Sequence, residues 1–150
     1  MRRREVSVSA VTPASAEVVY ELLADHSTWI SWSPMESVEL EQAGDPPPEG
    51  VGAIRVNKRG RVSGRDQIVE LTPGRRFTYA SLSGLPVRDY VGEVDLSPAA
   101  GGGTEVNWHS SFSPRIPGTG WLLQRGIRQF LGECVSGLAE YAATSSNAKP

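Results

Sequence analysis

The 150-residue chain carries 15 Lys and Arg against 17 Asp and Glu, a formal net charge of −2. This balance argues against a general nucleic-acid binder, which needs a net basic surface. A chain of this length fits one domain, and its single cysteine, Cys134, excludes an internal disulfide.

No apolar run reaches the roughly 18 residues that a membrane span requires. Arg2, Arg3 and Arg4 are not followed by the apolar stretch of a signal peptide, because residues 5–16 alternate polar and apolar side chains. We therefore expect a cytoplasmic protein.

The chain opens with a predicted strand and two short helices. Residues 6–10 alternate apolar and polar side chains, as a half-buried strand does. Thr12 and Pro13 predict the N-cap and first position of a short helix. A second helix is predicted over residues 27–32, before Pro34 ends it.

Six further strands follow at a spacing typical of hairpins: residues 38–41, 53–57, 61–71, 76–82, 87–96 and 104–112. Proline and glycine separate them, and Pro73-Gly74 suits a type II turn. Together with the first strand, they predict a curved antiparallel sheet of about seven strands.

The last third of the chain predicts one long helix, residues 120–143, with Thr119 as its N-cap. Its apolar side chains share one arc of about 120°: Leu123, Ile127, Phe130, Leu131, Cys134, Leu138, Tyr141 and Ala142. Only the sheet can cover such a stripe, so we predict an α+β fold with the sheet wrapped around this helix. Gly126 and Gly137 beside the stripe indicate a close approach by a sheet edge or by a ligand. The polar tail, residues 144–150, is expected to be disordered.

The element order β-α-α-β₆-α resembles the START-like superfamily, also called the SRPBCC or helix-grip fold. Its sequence motifs are similar to those of the bacterial polyketide cyclase/dehydrase and lipid-transport branch, over nearly the whole chain. These motifs are Ala24-Asp25, WISW at 29–32, Tyr79 with SGLP at 83–86 and Asp89-Tyr90, GGTEVNW at 102–108, and IPGTGW at 116–121. The resemblance implies a hydrophobic cavity between the concave face of the sheet and the long helix.

Alternate residues of a strand share a face, so the sequence predicts which side chains meet that cavity. Gly92, without a side chain, is expected to leave room in its strand. Arg55 and Asn57 are predicted to face outward. The predicted ligand-binding residues are Trp32, Ile54, Val56, Phe77, Tyr79, Ser81, Tyr90, Gly92, Val94, Trp108, Ser110, Phe112, Leu123, Ile127 and Phe130.

The catalytic candidates are Glu70, Tyr79 and Arg88. Glu70, or Asp66 on the same face, becomes a general base if it turns inward, where burial raises its pKa; the alternative is a solvated pair or a partner for Arg65. Arg88 either reaches the cavity rim or lies on the surface.

The two histidines, His26 and His109, lie far apart without Cys or a carboxylate at ligand spacing, so we predict no metal site. No cofactor is expected either. Five cations fall within eleven residues: Arg55, Lys58, Arg59, Arg61 and Arg65. They indicate either a solvated hairpin that discourages edge pairing or, through Arg55, Lys58, Arg59 and Arg61, contact with an anionic membrane surface.

We expect the chain to bind a hydrophobic small molecule, such as a polyketide, an aromatic compound or a lipid. A cyclase or dehydrase acting on a bound polyketide is the alternative, and an interaction module with a filled core is a third. Charged groups inside the cavity favour the enzyme, an uncharged cavity favours the carrier, and no cavity favours the module.

Overall fold

The computed structural model describes residues 3–147 and has the expected order of elements. The first half contains β1 (Arg4–Thr12), α1 (Ala16–Ala24), a single 3₁₀ turn (His26–Thr28), α2 (Trp29–Trp32), β2 (Ser37–Gln42) and β3 (Ile54–Arg59). The second half contains β4 (Val62–Thr72), β5 (Arg76–Ser83), β6 (Val87–Pro98), β7 (Thr104–Pro114) and α3 (Gly120–Asn147).

The seven strands form one antiparallel sheet in the order β1-β7-β6-β5-β4-β3-β2. This confirms the predicted α+β helix-grip fold. Helix α3 packs mainly against β1 and less closely against β7, α1 and α2. Because α3 lies toward the β1 end of the sheet, a space remains between its N-terminal half and strands β3 to β6.

The predicted apolar stripe of α3 is confirmed. Ile127, Leu131, Cys134, Leu138 and Ala142 are buried, while Leu123, Phe130 and Tyr141 are partly buried against the same core. The helix continues to Asn147 and so includes four residues that we assigned to the polar tail, 144–150. Residues 148–150 lie outside the described residues.

Two details of the helices differ from the prediction. Helix α1 is capped by Ser15, whose hydroxyl accepts from the amide of Val18 at 3.3 Å, whereas Thr12 ends β1. The backbone that approaches Gly137 is neither a sheet edge nor a ligand. A Cβ there would overlap the carbonyl of Trp32 at the end of α2, so Gly137 lets α2 pack directly on α3.

Two β-bulges turn side chains away from the concave face. Val69 is an extra residue in β4, between the pairs Ile68–Tyr79 and Glu70–Thr78. A second bulge follows Arg88 in β6, where Asp89 takes a left-handed conformation with φ 53°. Since each extra residue reverses the alternation of the strand, Glu70 and Arg88 both face outward.

Candidate functional site

A cavity of about 330 Å³ lies between α3 and the sheet. Its helix wall is formed by Leu122, Leu123, Gly126, Ile127 and Phe130. Met35, in the segment between α2 and β2, forms part of the remaining wall. The rest comes from strands β3 to β6 and their loops: Asn57, Arg59, Val62, Gly64, Asp66, Tyr79, Ser81, Ser83, Gly84, Leu85 and Tyr90.

Six predicted ligand-binding residues line this cavity: Tyr79, Ser81, Tyr90, Leu123, Ile127 and Phe130. A further six are buried in the core and are not part of its wall: Trp32, Phe77, Val94, Trp108, Ser110 and Phe112. The other three, Ile54, Val56 and Gly92, are considered below.

Tyr79 separates the cavity from the deeper core. Its ring lies over Gly92 on the neighbouring strand, so the room that we expected at Gly92 is taken by Tyr79. The Tyr79 hydroxyl accepts a hydrogen bond of 3.1 Å from the indole Nε1 of Trp108. Trp108, which we placed in the cavity wall, therefore lies behind Tyr79 and supports it.

The sheet side of the cavity rests on a row of aromatic rings. Phe77, Tyr79, Tyr90 and Phe112 follow one another with ring centroids 6.1–6.2 Å apart. Such spacing allows favourable tilted and offset contacts between rings. The scarce aromatic residues thus form a packed layer, and only its two tyrosines reach the cavity.

Strand β3 faces the opposite way from the prediction. Arg55 pairs with Asp66 and Asn57 pairs with Gly64 on the concave face, whereas Ile54 and Val56 pair with Gln67 and Arg65 on the outer face. Ile54 and Val56 are therefore not cavity residues. The sequence rule failed here because it places a charged residue in water unless a distant partner is known.

Arg55 is buried because the surrounding chain satisfies its charge. Its guanidinium donates to the carbonyls of Leu23 and Ala24, at the C-terminal end of α1, over 3.1 and 2.7 Å. It also pairs with Glu49 at 2.9 Å. The carbonyl end of a helix attracts a cation, which offsets part of the cost of burial. Burial nevertheless lowers the pKa of Arg55, and Glu49 opposes that effect.

Asp66 is the carboxylate that turns into the cavity. Its Oδ2 accepts a hydrogen bond of 2.8 Å from Asn57 Nδ2. Enclosure by the protein raises the pKa of Asp66 to about 7, although Asn57 and then Arg55 act to lower it. A carboxyl with this pKa exchanges protons readily at neutral pH, as a general acid or base must.

Two of the three catalytic candidates do not reach the cavity. Glu70 is half exposed on the outer face, with Oε2 3.9 Å from Arg76 Nη1, and Arg88 is exposed. Tyr79 does line the cavity, but burial raises its pKa well above the ordinary value. Tyr79 therefore stays protonated at neutral pH and serves as a hydrogen-bonding group.

Arg59 lies at the rim of the cavity. Its guanidinium is 5.5 Å from the ring centroid of Phe130 and 3.8 Å from the carboxylate of Glu133. The Arg59 guanidinium lies over the face of the Phe130 ring, while about half of the arginine side chain stays exposed to water. The alternation of Arg55, Asn57 and Arg59 with Ile54 and Val56 marks two faces of β3 but does not indicate which of them is inward.

The five clustered cations do not form one surface. Arg55 is buried in the core, which removes it from any membrane contact, and Arg65 donates to Glu41 on the outer face over 3.0 Å. Lys58, Arg59 and Arg61 remain exposed around the β3–β4 turn. In residues 3–147, the helices include none that is both long and apolar enough to cross a bilayer.

The fold brings each histidine close to two carboxylates, which sequence spacing did not predict. The groups are Asp25, His26 and Glu49 near α1, and Glu93, Asp95 and His109 on the outer face of the sheet. An arginine already binds at least one carboxylate in each group. Arg55 pairs with Glu49, and Arg76 pairs with Asp95 at 2.7 Å and with Glu93 at 3.3 Å. Both groups are ion-pair networks.

Residues 3–143 match the sequence profile of a family described as polyketide cyclase/dehydrase and lipid transport. The match covers almost all of the chain, including every residue of the cavity wall. No curated protein matches the sequence.

Solved structures share the fold at low sequence identity. The Zhui aromatase/cyclase of a Streptomyces species is 19% identical and has a TM-score of 0.78, over 98% of each chain. A Bacillus thuringiensis protein of uncharacterised function is 16% identical, with a TM-score of 0.77 over 93% of this chain and 98% of that one. Norcoclaurine synthase from Thalictrum flavum, solved with dopamine and hydroxybenzaldehyde, is 12% identical, with a TM-score of 0.74 over 95% of this chain and 88% of that one. At these identities the similarity shows the fold alone.

Proposed function

The chain belongs to the polyketide cyclase/dehydrase and lipid transport family, and from this we propose that it binds a compact, mainly apolar small molecule in the cavity between α3 and the sheet. The ligand carries at least one polar group that hydrogen-bonds to Asp66 or Asn57.

The observation that carries this proposal is the composition of the cavity wall. Leu122, Leu123, Ile127 and Phe130 give an apolar helix wall, Asp66 offers a carboxyl group opposite them, and the charged Arg59 lies at the rim. Ligand sites of this kind bury most of an apolar molecule and orient it with a few polar contacts. A cavity also argues against the third hypothesis, an interaction module with a filled core.

The size of the cavity narrows the class of ligand. Its volume of about 330 Å³ is near the lower end of the 300–1,000 Å³ found for small-molecule sites. This favours a molecule of two or three fused rings, or a cyclising polyketide of similar size, over a two-chain lipid. The similar synthase was solved with two aromatic compounds, which supports the same class.

Acid–base catalysis of polyketide cyclisation is the second candidate function, and Asp66 favours it. A charged group inside the cavity is what separates an enzyme from a plain carrier. As a carboxylate, Asp66 would remove a proton from a carbon between two carbonyl groups of the bound molecule. The resulting enolate attacks another carbonyl carbon, and the new alkoxide takes the proton back. The new carbon–carbon bond closes the ring, and loss of water then introduces a double bond into it. A general acid or base of this kind typically contributes roughly 10²–10⁴-fold to the rate.

Native mass spectrometry and calorimetry with defined probes test the binding proposal. We expect the protein to retain 2-naphthol and a trihydroxyanthraquinone with micromolar affinity, and dioleoylphosphatidylcholine not at all. Retention of the phospholipid in preference to both ring compounds would contradict the proposed ligand class.

We also propose that the protein is cytoplasmic. In that compartment the free buried thiol of Cys134 would stay reduced.

A further inference from the structure

A second space of about 20 Å³ adjoins the cavity. Asp66, Asn57 and Tyr79 line both spaces, so these three side chains form the partition between them. The rest of its wall is formed by Trp29, Val38, Arg55, Ile68 and Phe77.

Arg55, which lines this second space, has an unsatisfied donor. Its two terminal nitrogens donate to Leu23, Ala24 and Glu49. Its Nε is buried and makes no hydrogen bond to any acceptor among residues 3–147. A buried N–H without an acceptor is costly, so such groups in folded proteins are usually satisfied by an ordered water where no protein atom serves.

We propose that the space holds one ordered water molecule, which accepts a hydrogen bond from Arg55 Nε and donates one to the carboxylate of Asp66. The space is large enough, because a single water needs only about 10–15 Å³. The wall supplies the two to four polar partners that a buried water requires.

The bridge makes Arg55 a positioning residue for the charge of Asp66. A hydrogen bond donated to the carboxylate stabilises its ionised form, and the water extends the influence of Arg55 to the cavity wall. Enclosure by the protein works against ionisation of Asp66, whereas Asn57 and Arg55 favour it. The cavity therefore carries a negative charge at a lower pH than enclosure alone would allow.

The other groups around Asp66 do not replace this contribution. Arg59 and the tyrosines Tyr79 and Tyr90 line the same cavity from β3, β5 and β6, and the wall residues of α3 carry no charge. The carboxylates of Glu49 and Asp25 lie behind Arg55, and both act to raise the pKa of Arg55. The inference concerns the charge of Asp66 in the unliganded protein, so it can be tested whether or not the proposed function is right.

The first test displaces the water without changing any charge. Val38→Ile adds a methyl group at the wall of the small space, and Val91→Ile adds the same group on the outer face as a control. The carboxyl of Asp66 is titrated by ¹³C NMR in the whole, unliganded protein and assigned with Asp66→Asn. We expect Val38→Ile to raise the midpoint by about one pH unit, as loss of a hydrogen bond to the charged form should, and Val91→Ile to leave it unchanged. An unchanged midpoint in Val38→Ile would overturn the bridge.

The second test changes the charge on the far side of Arg55. Glu49→Gln keeps an oxygen acceptor for Arg55 and His26 but removes the negative charge that compensates the guanidinium. We expect the Asp66 midpoint to fall in this variant, and a rise would overturn the role of Arg55. A high-resolution crystal structure of the wild type completes the test. A water within hydrogen-bonding distance of both Arg55 Nε and Asp66 supports the proposal, and a dry space or a water that reaches only one of them refutes it.

Discussion

Asn57 donates a hydrogen bond of 2.8 Å to Asp66, although its direct partner in the β3–β4 register is Gly64. The amide reaches diagonally across the pair of strands because Gly64 has no side chain; a Cβ there would lie 2.8 Å from Asn57 Oδ1. The polar part of the cavity therefore depends on this glycine as well as on the two polar residues.

The raised pKa of Asp66 predicts a pH dependence of stability. Folding favours the protonated carboxyl, so its contribution to stability is complete below the ordinary pKa of 3.8 and is lost as the pH rises through about 7. Asp66→Asn should therefore raise the free energy of unfolding by about 1–4 kcal/mol at pH 8, with a smaller gain at pH 5. Urea denaturation at both pH values measures the difference. A variant less stable than the wild type at pH 8 would show that the pKa of the Asp66 carboxyl is not raised in the folded state.

Tyr79→Phe tests the link between the cavity wall and the core. The substitution removes the oxygen that accepts from Trp108 Nε1, and so leaves a buried indole N–H unpaired. We expect a loss of about 1–3 kcal/mol in the free energy of unfolding. Tyr141→Phe, at a partly buried position of α3, is the control and should change stability by less. Equal effects of the two substitutions would mean that the Tyr79–Trp108 hydrogen bond contributes nothing.

Gly137 and Gly132 form a matched pair on α3. Gly137→Ala would overlap the carbonyl of Trp32, whereas a Cβ at Gly132 meets nothing within 4 Å. Alanine favours the helix by about 0.5–1 kcal/mol over glycine, so Gly132→Ala should raise the melting temperature. Gly137→Ala should lower it, because α2 must move away from α3. The same gain in both variants would contradict the close packing of α2 on α3.

The effects of Phe130→Ala on stability and on ligand affinity show whether Phe130 lines the cavity or belongs to the packed core. Full burial in a packed core would give a loss of about 3–5 kcal/mol. Because Phe130 is only partly buried and lines the cavity, we expect a smaller loss together with weaker binding of a trihydroxyanthraquinone. Trp108→Ala, in the core, should show the full loss in denaturant unfolding. A Phe130→Ala variant with unchanged affinity would place the ligand elsewhere.

The fold and the helix side of the site could be predicted from local patterns of apolar and polar residues. The stripe that includes Leu123, Ile127 and Phe130 was readable because periodicity in one helix depends on its own residues alone. The sheet face was only partly readable. Glu70 and Arg88 lie outside because each strand contains a bulge, and an extra residue leaves no mark on a simple alternation of polar and apolar side chains.

The inward face of β3 could not be predicted for a different reason. Arg55 is stable inside the core only because α1 and Glu49 supply its acceptors, and these lie 31, 32 and 6 residues away in sequence. Once Arg55 turns inward, Asn57 must follow it, and Asp66 then has a neutral hydrogen-bond donor beside it. The least predictable residue thus determines the polar part of the site.

Catalysis and simple binding differ in what Asp66→Asn changes. If Asp66 transfers protons, the variant should lose about 10²–10⁴-fold in turnover of a linear polyketide mimic while its affinity is nearly unchanged. Mass spectrometry of the products measures the conversion, and Glu70→Gln, on the outer face, is the control that should keep full activity. Conversion that survives in Asp66→Asn but disappears in Glu70→Gln would contradict the assignment of the base.

The claim that the cavity is the ligand site is tested most directly by the affinity of Gly126→Leu for a trihydroxyanthraquinone, measured by calorimetry beside Gly132→Leu. A Cβ at either glycine meets nothing within 4 Å, so both variants should fold and gain helix stability, but only Gly126 lines the cavity. We predict that Gly126→Leu loses at least about 10-fold in affinity, equal to about 1.4 kcal/mol, while Gly132→Leu binds as the wild type does. Equal affinities of the two folded variants would show that the ligand binds outside this cavity.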